Sequence, residues 1–282
     1  MSERCHTMGL VIRARREQDV VLTLLTPELG RITVIAKGAK SLKGPQLALS
    51  QMFCYGNFEL YRKGELYWLA TGELTDNFYG VTSRLDALNL ASYFCEVAYG
   101  VSDAGVPAEA LLRLLLNCLY FVANQTYPDD MIKGVFEWRV LAMQGVFPSV
   151  NGCARCGARQ DVGFALDVPQ GELICSECRA KQSSLPSGRM EEDAPRHDCC
   201  LLSSGALAAI RFSLSEPLSR LMSFRLTGEN ELRDFTVAGE KFLRYHLEID
   251  SMALHMYEQM KSLGAMSEKK CPEAIKETEK IN

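Results

Sequence analysis

The pattern of hydrophobic and polar positions changes its period once along the chain, near residue 80. Before that point, five short runs are rich in β-branched and aromatic residues and are separated by turn residues. The run Arg31–Lys37 ("RITVIAK") shows the alternation most clearly, and alternation of this kind is typical of a half-buried strand. Five short antiparallel strands predict a small closed barrel, for which an OB-fold is the leading interpretation and an SH3-like barrel the rival.

From about residue 84 onward, apolar residues recur every three or four positions, which is the helical period. The segment 109–124 is apolar on nearly all sides and predicts a central, buried helix. Asp129 or Asp130 can cap a third helix that runs to about Gln144. Helices resume near Ser203, and the last is predicted as one long helix from about Glu229 to Met260.

These patterns predict an α+β, multi-domain protein: an N-terminal five-stranded OB-fold β-barrel, then an α-helical domain with an inserted four-cysteine zinc ribbon. The predicted boundaries are 1–80 for the barrel, 81–150 for the first helical part, 151–182 for the ribbon, 183–263 for the second helical part and 264–282 for a disordered tail.

Eleven cysteines need an explanation, and four of them stand in two CxxC pairs: Cys153, Cys156, Cys175 and Cys178. The start "MSERCHTMG" lacks an apolar core, so we expect a cytoplasmic protein, where disulfides are rare. Two CxxC pairs then indicate one structural Zn²⁺ held by four thiolates. Cys199 and Cys200 in "HDCC" have no such spacing, and we expect them in a loop that leads to the next helix.

The first 80 residues are more basic than the rest of the chain. They carry ten Lys and Arg against eight Asp and Glu, whereas the whole chain has a formal net charge of −4. The turn "AKGAKSLKGP" presents three lysines at three-residue intervals. Lysines on glycine-flanked loops can neutralise phosphates. The candidate phosphate-binding residues are Lys37, Lys40, Lys43, Arg13, Arg15, Arg16 and Arg31. A merely solvated loop is the alternative interpretation.

Five aromatic residues of the barrel could stack nucleic-acid bases: Tyr55, Phe58, Tyr61, Tyr67 and Trp68. In a small barrel, however, aromatic side chains are more often part of the core. The sequence alone leaves both interpretations open.

Motifs for enzymatic chemistry are missing from the sequence. None of its four histidines is near a plausible nucleophile, and the lysine-rich turn fails as a P-loop because Pro45 follows Gly44. We therefore expect a protein that is not an enzyme and has no small-molecule substrate. The longest apolar run, 111–123, is interrupted by Arg113 and Asn117 and is too short to span a bilayer, so we expect no membrane contact.

Several motifs, in order, resemble the bacterial recombination mediator family RecO. They are "TPELGRITVIAKGAKS" and "LSQMFCYGNFELY" in the barrel, "FEWRVLAMQGVFPSVNGCARCG" and "GELICSEC" around the cysteines, and "LSSGALAAIRF" and "KFLRYHLE" near the end. The resemblance covers about residues 8 to 260.

The resemblance implies a non-enzymatic DNA repair and recombination mediator in the bacterial cytoplasm, associated with the nucleoid during repair. Such proteins bind single- and double-stranded DNA and anneal complementary strands. They act with RecR, engage the C-terminal tail of single-strand-binding protein and indirectly serve RecA by helping to load it. It also implies DNA contacts by the seven basic residues and zinc ligation by the four paired cysteines. The segment "LKGPQLALS" is less basic than in many relatives, which predicts DNA binding that is weak and strongly salt-dependent, or shared with RecR. The alternative is an RNA- or transcription-complex-binding protein.

Overall fold

The N-terminal part of the chain forms a closed five-stranded barrel. The computed structural model describes residues 3–16, 18–37, 45–160, 163–183 and 198–268. The barrel strands are β1 (Glu3–Arg16), β2 (Val20–Thr26), β3 (Gly30–Ala36), β4 (Tyr55–Lys63) and β5 (Leu66–Asp76), with a short helix α1 (Pro45–Leu49) before β4. Their order is β1-β2-β3-β5-β4, with the pair β3–β5 parallel and the others antiparallel. The predicted OB-fold is confirmed.

Strand β1 contains a β-bulge and contributes to two hydrophobic cores. The pairing of β1 with β2 shifts register between Val11 and Arg13. Val11 points into the barrel, while its neighbours Leu10 and Ile12 pack into the core of the helical domain. Successive side chains of a strand point to opposite faces, so both faces of β1 are buried here.

The remainder of the described chain is a helical body with a small sheet. Its helices are α2 (Tyr79–Thr82), α3 (Leu85–Val101), α4 (Glu109–Asn124), α5 (Asp129–Met143), α6 (Ser176–Ser183), α7 (Ser204–Ser215), α8 (Glu229–Leu247) and α9 (Met252–Glu268), with one 3₁₀ turn at Leu218–Arg220. The sheet has the order β6-β8-β7-β9, from β6 (Ser149–Cys153), β7 (Phe164–Asp167), β8 (Glu172–Ile174) and β9 (Cys199–Leu202). Among these residues no helix is both long and apolar enough to cross a lipid bilayer.

Helix α5, rather than the predicted 109–124 segment, lies at the centre of the helical body. Ten of its residues are buried, and among them are Lys133 and Glu137. The Lys133 ammonium lies 2.8 Å from Glu137 and 2.7 Å from Glu240 of α8. Because these charges form ion pairs with one another inside the protein, a helix that contains a lysine and a glutamate can still be buried. Helix α4 keeps Tyr120 and Arg113 exposed.

The prediction of one long helix from 229 to 260 is wrong, because the chain turns back between α8 and α9. Glu248 adopts a left-handed backbone with φ 52° and ends α8. The Ser251 hydroxyl then accepts a hydrogen bond from the backbone N–H of Leu254, which caps α9. Helix α9 packs against α3 and continues to Glu268, past the predicted boundary at 263. The rest of the predicted tail, 269–282, lies outside the described residues.

Backbone hydrogen bonds join the barrel to the helical body. The turn between β2 and β3 accepts hydrogen bonds from Gly105 to Leu29 (2.9 Å) and from Ala108 to Pro27 (2.9 Å). Gly30 has φ +66°, and a Cβ atom at this position would collide with the carbonyl oxygens of Asp103 and Val106. The close approach of the two domains therefore requires glycine at residue 30.

We predict that Gly30→Ala destabilises the protein far more than Gly64→Ala. Both glycines have φ +66°, but a Cβ at Gly64 has nothing within 4 Å. Backbone strain should cost about 1–2 kcal/mol in either variant. Overpacking at the domain junction should cost Gly30→Ala a further ~1–3 kcal/mol. Urea unfolding measures the difference, and equal losses in the two variants would show that the junction tolerates a side chain.

Candidate functional site

Four cysteine sulfurs converge in the small sheet of the helical body. Cys153 ends β6, Cys156 follows in the next turn, Cys175 comes directly after β8, and Cys178 lies in the first turn of α6. Their sulfur atoms all lie within 4.8 Å of one another. Sγ of Cys156 and Sγ of Cys175 are 3.6 Å apart, close to the ~3.8 Å edge of a tetrahedron with metal–sulfur bonds of about 2.3 Å.

Backbone N–H groups favour the thiolate form of Cys153 in this cluster. The N–H of Cys175 donates to Sγ of Cys153, and that of Cys178 donates to Sγ of Cys175, both at 3.4 Å. Burial raises the pKa of Cys153, but hydrogen bonds from backbone N–H groups, that of Cys175 foremost, lower it by more, to about 6. Four such sulfurs fit a metal ion and would fill its tetrahedron, which leaves no position for a reactive water.

The cysteine-bearing sheet is built into the helical core. Its apolar residues Phe164, Leu166 and Leu173 belong to the same buried cluster as the helices. The carbonyl oxygen of Val168 lies 2.8 Å from Nε2 of His246 on α8. A metal at the cluster would therefore hold together a sheet that is part of the helical core.

The fourth strand of this sheet comes from beyond the predicted ribbon. Cys199 and Cys200 lie in β9, which pairs with β7, so the expectation that they stand in a loop before a helix is wrong. Residues 199–202 are too few to show a strand pattern in the sequence, and their pairing with a distant strand leaves no local sequence signal. His197 and the segment 184–196 lie outside the described residues. We propose that the ribbon unit of residues 151–182 includes β9 as well.

Three of the predicted phosphate-binding residues gather at one end of the barrel. Arg15 and Arg16 are exposed at the end of β1, and Lys37 is exposed directly after β3. Lys40 and Lys43 follow on the same connection, but they lie outside the described residues. The end of β1 and the end of β3 flank β2 on the same side of the barrel, since both strands run antiparallel to it.

Two further cations, Arg62 and Lys63, were not among the predicted residues. They are exposed at the end of β4, where Arg62 is paired with Glu3 at the start of β1. Because β4 runs antiparallel to β1 and to β5, which is parallel to β3, the end of β4 lies away from the ends of β1 and β3. The signal available in the sequence was their position beside the turn at Gly64. The end of the barrel that carries Arg15, Arg16 and Lys37 is called the cationic end below.

Arg13 and Arg31 have a different environment, the junction with the helical body. Both guanidinium groups lie over the ring of Tyr99 on α3, at 3.4 Å and 4.0 Å from its centroid. Arg31 also donates a hydrogen bond to the backbone carbonyl of Tyr99. Both arginines already form contacts within the protein. They therefore have less capacity to bind phosphate than the exposed cations.

The five aromatic candidates divide into core and surface residues. Phe58 and Tyr67 are buried inside the barrel, and Tyr55 packs against the helical core. Tyr61 and Trp68 lie outside as a cross-strand pair with parallel rings, 9° between planes and 6.4 Å between centroids. The ammonium of Lys37 lies 4.6 Å from the centroid of Trp68. A cation and two aromatic rings therefore adjoin on the outer surface of the barrel.

Comparison with known proteins gives a consistent family. A family model described as "Recombination protein O N terminal" matches residues 1–78, and one described as "Recombination protein O C terminal" matches residues 82–254. A DNA repair protein RecO from Desulforudis audaxviator is 30% identical over 259 residues, which is 90% of this chain and 96% of that protein. One from Acetivibrio thermocellus is 27% identical over 244 residues, 86% of this chain and 91% of the relative.

We predict that Arg31→Ala lowers the stability of the protein, whereas Arg15→Ala does not. Arg31 loses a charge-assisted hydrogen bond and a contact with an aromatic ring, which should cost about 1–3 kcal/mol of unfolding free energy. Arg15 is exposed, so its loss should stay within about 0.5 kcal/mol. Denaturant titration of both variants measures this, and a similar value for the two would mean that the junction contacts of Arg31 add nothing.

Proposed function

Because the chain belongs to the recombination protein O family of DNA repair proteins, we propose that it is a recombination mediator that binds single- and double-stranded DNA and anneals complementary strands. The observation that carries this proposal is the cationic end of the barrel with the Tyr61–Trp68 pair beside it. Cations there would neutralise phosphates without reading the base sequence. Base pairing between the strands would supply the specificity.

Annealing needs no catalytic group in this proposal. Two DNA strands repel each other through their phosphates, and a protein that neutralises those charges lowers the barrier to pairing. The residues proposed to do this are Lys37, Lys40, Lys43, Arg15 and Arg16. Arg13 and Arg31 would contribute less, because Tyr99 already engages them.

We extend the proposal to the protein partners that the family implies. Together with RecR, the protein would engage the C-terminal tail of single-strand-binding protein and help to load RecA onto the coated DNA. Family membership carries this extension. A groove of about 380 Å³ between α5, α8 and α9 gives it no support. The groove has three cationic and three acidic side chains, so it offers no net attraction to an acidic tail: Lys133, Arg233, Lys261, Asp130, Glu240 and Glu258.

We also propose that the four-cysteine cluster holds one Zn²⁺ in a structural role. Zn²⁺ suits a closed set of four thiolates at tetrahedral spacing. The ligands would be Cys153, Cys156, Cys175 and Cys178, and the ion would join β6, β8 and α6 where the sheet meets α8. With DNA as its ligand, the protein would act in the bacterial cytoplasm, at the nucleoid during repair.

The first test is DNA binding by a Lys37→Ala/Lys40→Ala/Lys43→Ala variant. Each lost phosphate contact should make the slope of log affinity against log salt shallower by about 0.7 for single strands. We therefore expect a slope shallower by about 2, affinity lower by about tenfold or more at low salt, and slower annealing. Fluorescence anisotropy and an annealing assay at several NaCl concentrations give these values.

The control variant removes three exposed cations from the helical body: Arg113→Ala/Arg220→Ala/Lys241→Ala. It has the same change in net charge, so it should keep the wild-type salt slope. If both triple variants bind DNA like the wild type, the cationic end is a solvated surface and the proposal fails. Equal or tighter binding to RNA, without annealing, would favour an RNA- or transcription-complex-binding protein instead.

A second test concerns the metal, with Cys175→Ser compared with Cys199→Ser. The first change removes a ligand, so zinc content should fall from about one ion per chain, and the melting temperature should fall by about 2–4 °C per kcal/mol lost. Cys199 is exposed in β9 and lies outside the cluster, so its variant should retain zinc. Metal analysis by mass spectrometry with parallel melting curves decides, and a metal-free Cys175→Ser protein with unchanged melting would refute the structural role.

A further inference from the structure

One row of outward side chains runs around the barrel next to the cationic end. Tyr61 on β4 is the register partner of Trp68 on β5, and Trp68 is the partner of Ile35 on β3. Ile35 is paired with Val21 on β2, and Val21 with Arg15 on β1. Directly opposed residues of neighbouring strands lie on the same face of a sheet, so these five side chains form a continuous strip. It begins with two aromatic rings and ends with a cation.

Trp68 is an unusual residue for the outer surface of this strip. Its side chain is half-buried, and its indole Nε1 is covered without a hydrogen-bond acceptor among the described residues. A covered donor without an acceptor is unfavourable, and a phenylalanine or leucine would fill the same place without that cost. The packing of the barrel therefore does not explain why this position holds tryptophan.

The ring face of Trp68 is occupied by a cation that a phosphate would attract. The Lys37 ammonium lies 4.6 Å from the ring centroid, and Lys37 itself is exposed at the cationic end. A cation–π contact at an exposed site is weaker than the stacking of a base on an aromatic ring. Exchange of the ammonium for a base would thus be favourable whenever a phosphate draws Lys37 away.

We propose that Trp68, extended by Tyr61, is the platform on which an unpaired base stacks, and that this contact makes the barrel prefer single-stranded over double-stranded nucleic acid. The inference rests on the proposed nucleic-acid binding at the cationic end. In a duplex the base faces are covered by their neighbours, so the platform has nothing to stack on. The exposed cations contact phosphates, which both forms present.

The test compares Trp68→Leu with wild type on a single-stranded oligothymidylate and on a duplex of the same length. Loss of stacking should weaken single-strand binding by about 5- to 100-fold, while duplex affinity changes by less than about twofold. The salt slope should stay unchanged, because no phosphate contact is removed. Tyr79→Leu, which removes an aromatic side chain 74% exposed on α2, is the control and should leave both affinities at their wild-type values.

Fluorescence provides a second, independent measurement, because the chain has two tryptophans. Trp138 is fully buried in α5, and its Nε1 donates to the carbonyl of Phe235, so it should not respond to DNA. A single strand should quench the emission of the wild type but leave that of Trp68→Phe unchanged. A duplex should quench neither protein.

The possible failures of the two proposals can be distinguished. If the lysine variant loses affinity but Trp68→Leu binds single strands normally, or if quenching persists in Trp68→Phe, the platform is refuted and phosphate binding stands. Equal losses on single strands and duplexes, or an equal loss in Tyr79→Leu, would also refute it. If wild type binds neither form, both proposals fail.

Discussion

Backbone hydrogen bonds between the β2–β3 turn and the segment before α4 determine how the barrel packs on the helical body. They require the left-handed glycine at residue 30, because any side chain there would strike the backbone of residues 103–106. Arg13 and Arg31 reinforce the same junction through Tyr99. With this end of the barrel engaged, the opposite end is left to carry the exposed cations. The proposed phosphate surface is therefore a consequence of where the domains join.

Inside the helical body, the corresponding constraint is the burial of charge in α5. Burial raises the pKa of Glu137 by more than the ammonium of Lys133 lowers it, and the resulting pKa is about 7. A lysine and a glutamate this deeply buried are stable only as partners, and Glu240 fixes α8 in place through the same lysine. The carboxylate of Glu137 also accepts a hydrogen bond from Tyr93 of α3. One buried network thus connects the central helix α5 to α3 and α8.

The cysteine cluster belongs to this structural framework and not to the phosphate surface. Its sulfurs join β6, β8 and α6 in a sheet of very short strands that contacts α8 through Val168 and His246, and such strands gain little from their own hydrogen bonds. A metal ion would hold these elements together. The working surface in our proposal is the barrel, where cations and an aromatic pair meet.

Features that depend on local spacing could be read from the sequence. The alternation of "RITVIAK" predicts a strand, and two CxxC pairs predict a four-sulfur site. The cationic loop stays a prediction, since residues 38–44 lie outside the described part of the chain. These patterns follow from the period of a strand and the reach of a tight turn, which neighbouring residues determine. The family resemblance rests on the same short motifs, and the fold and the family are both confirmed.

Features that depend on distant parts of the chain were decided only by the tertiary structure. The sequence treats Arg13 and Arg15 alike, yet one packs on Tyr99 of α3 and the other is exposed. The place of β9 in the sheet and the pairing of Trp68 with Ile35 likewise follow from strand partners far away in sequence. The physical reason is that the hydrophobic period of a segment determines which face each residue lies on. The environment of that face depends on which distant segments pack against it.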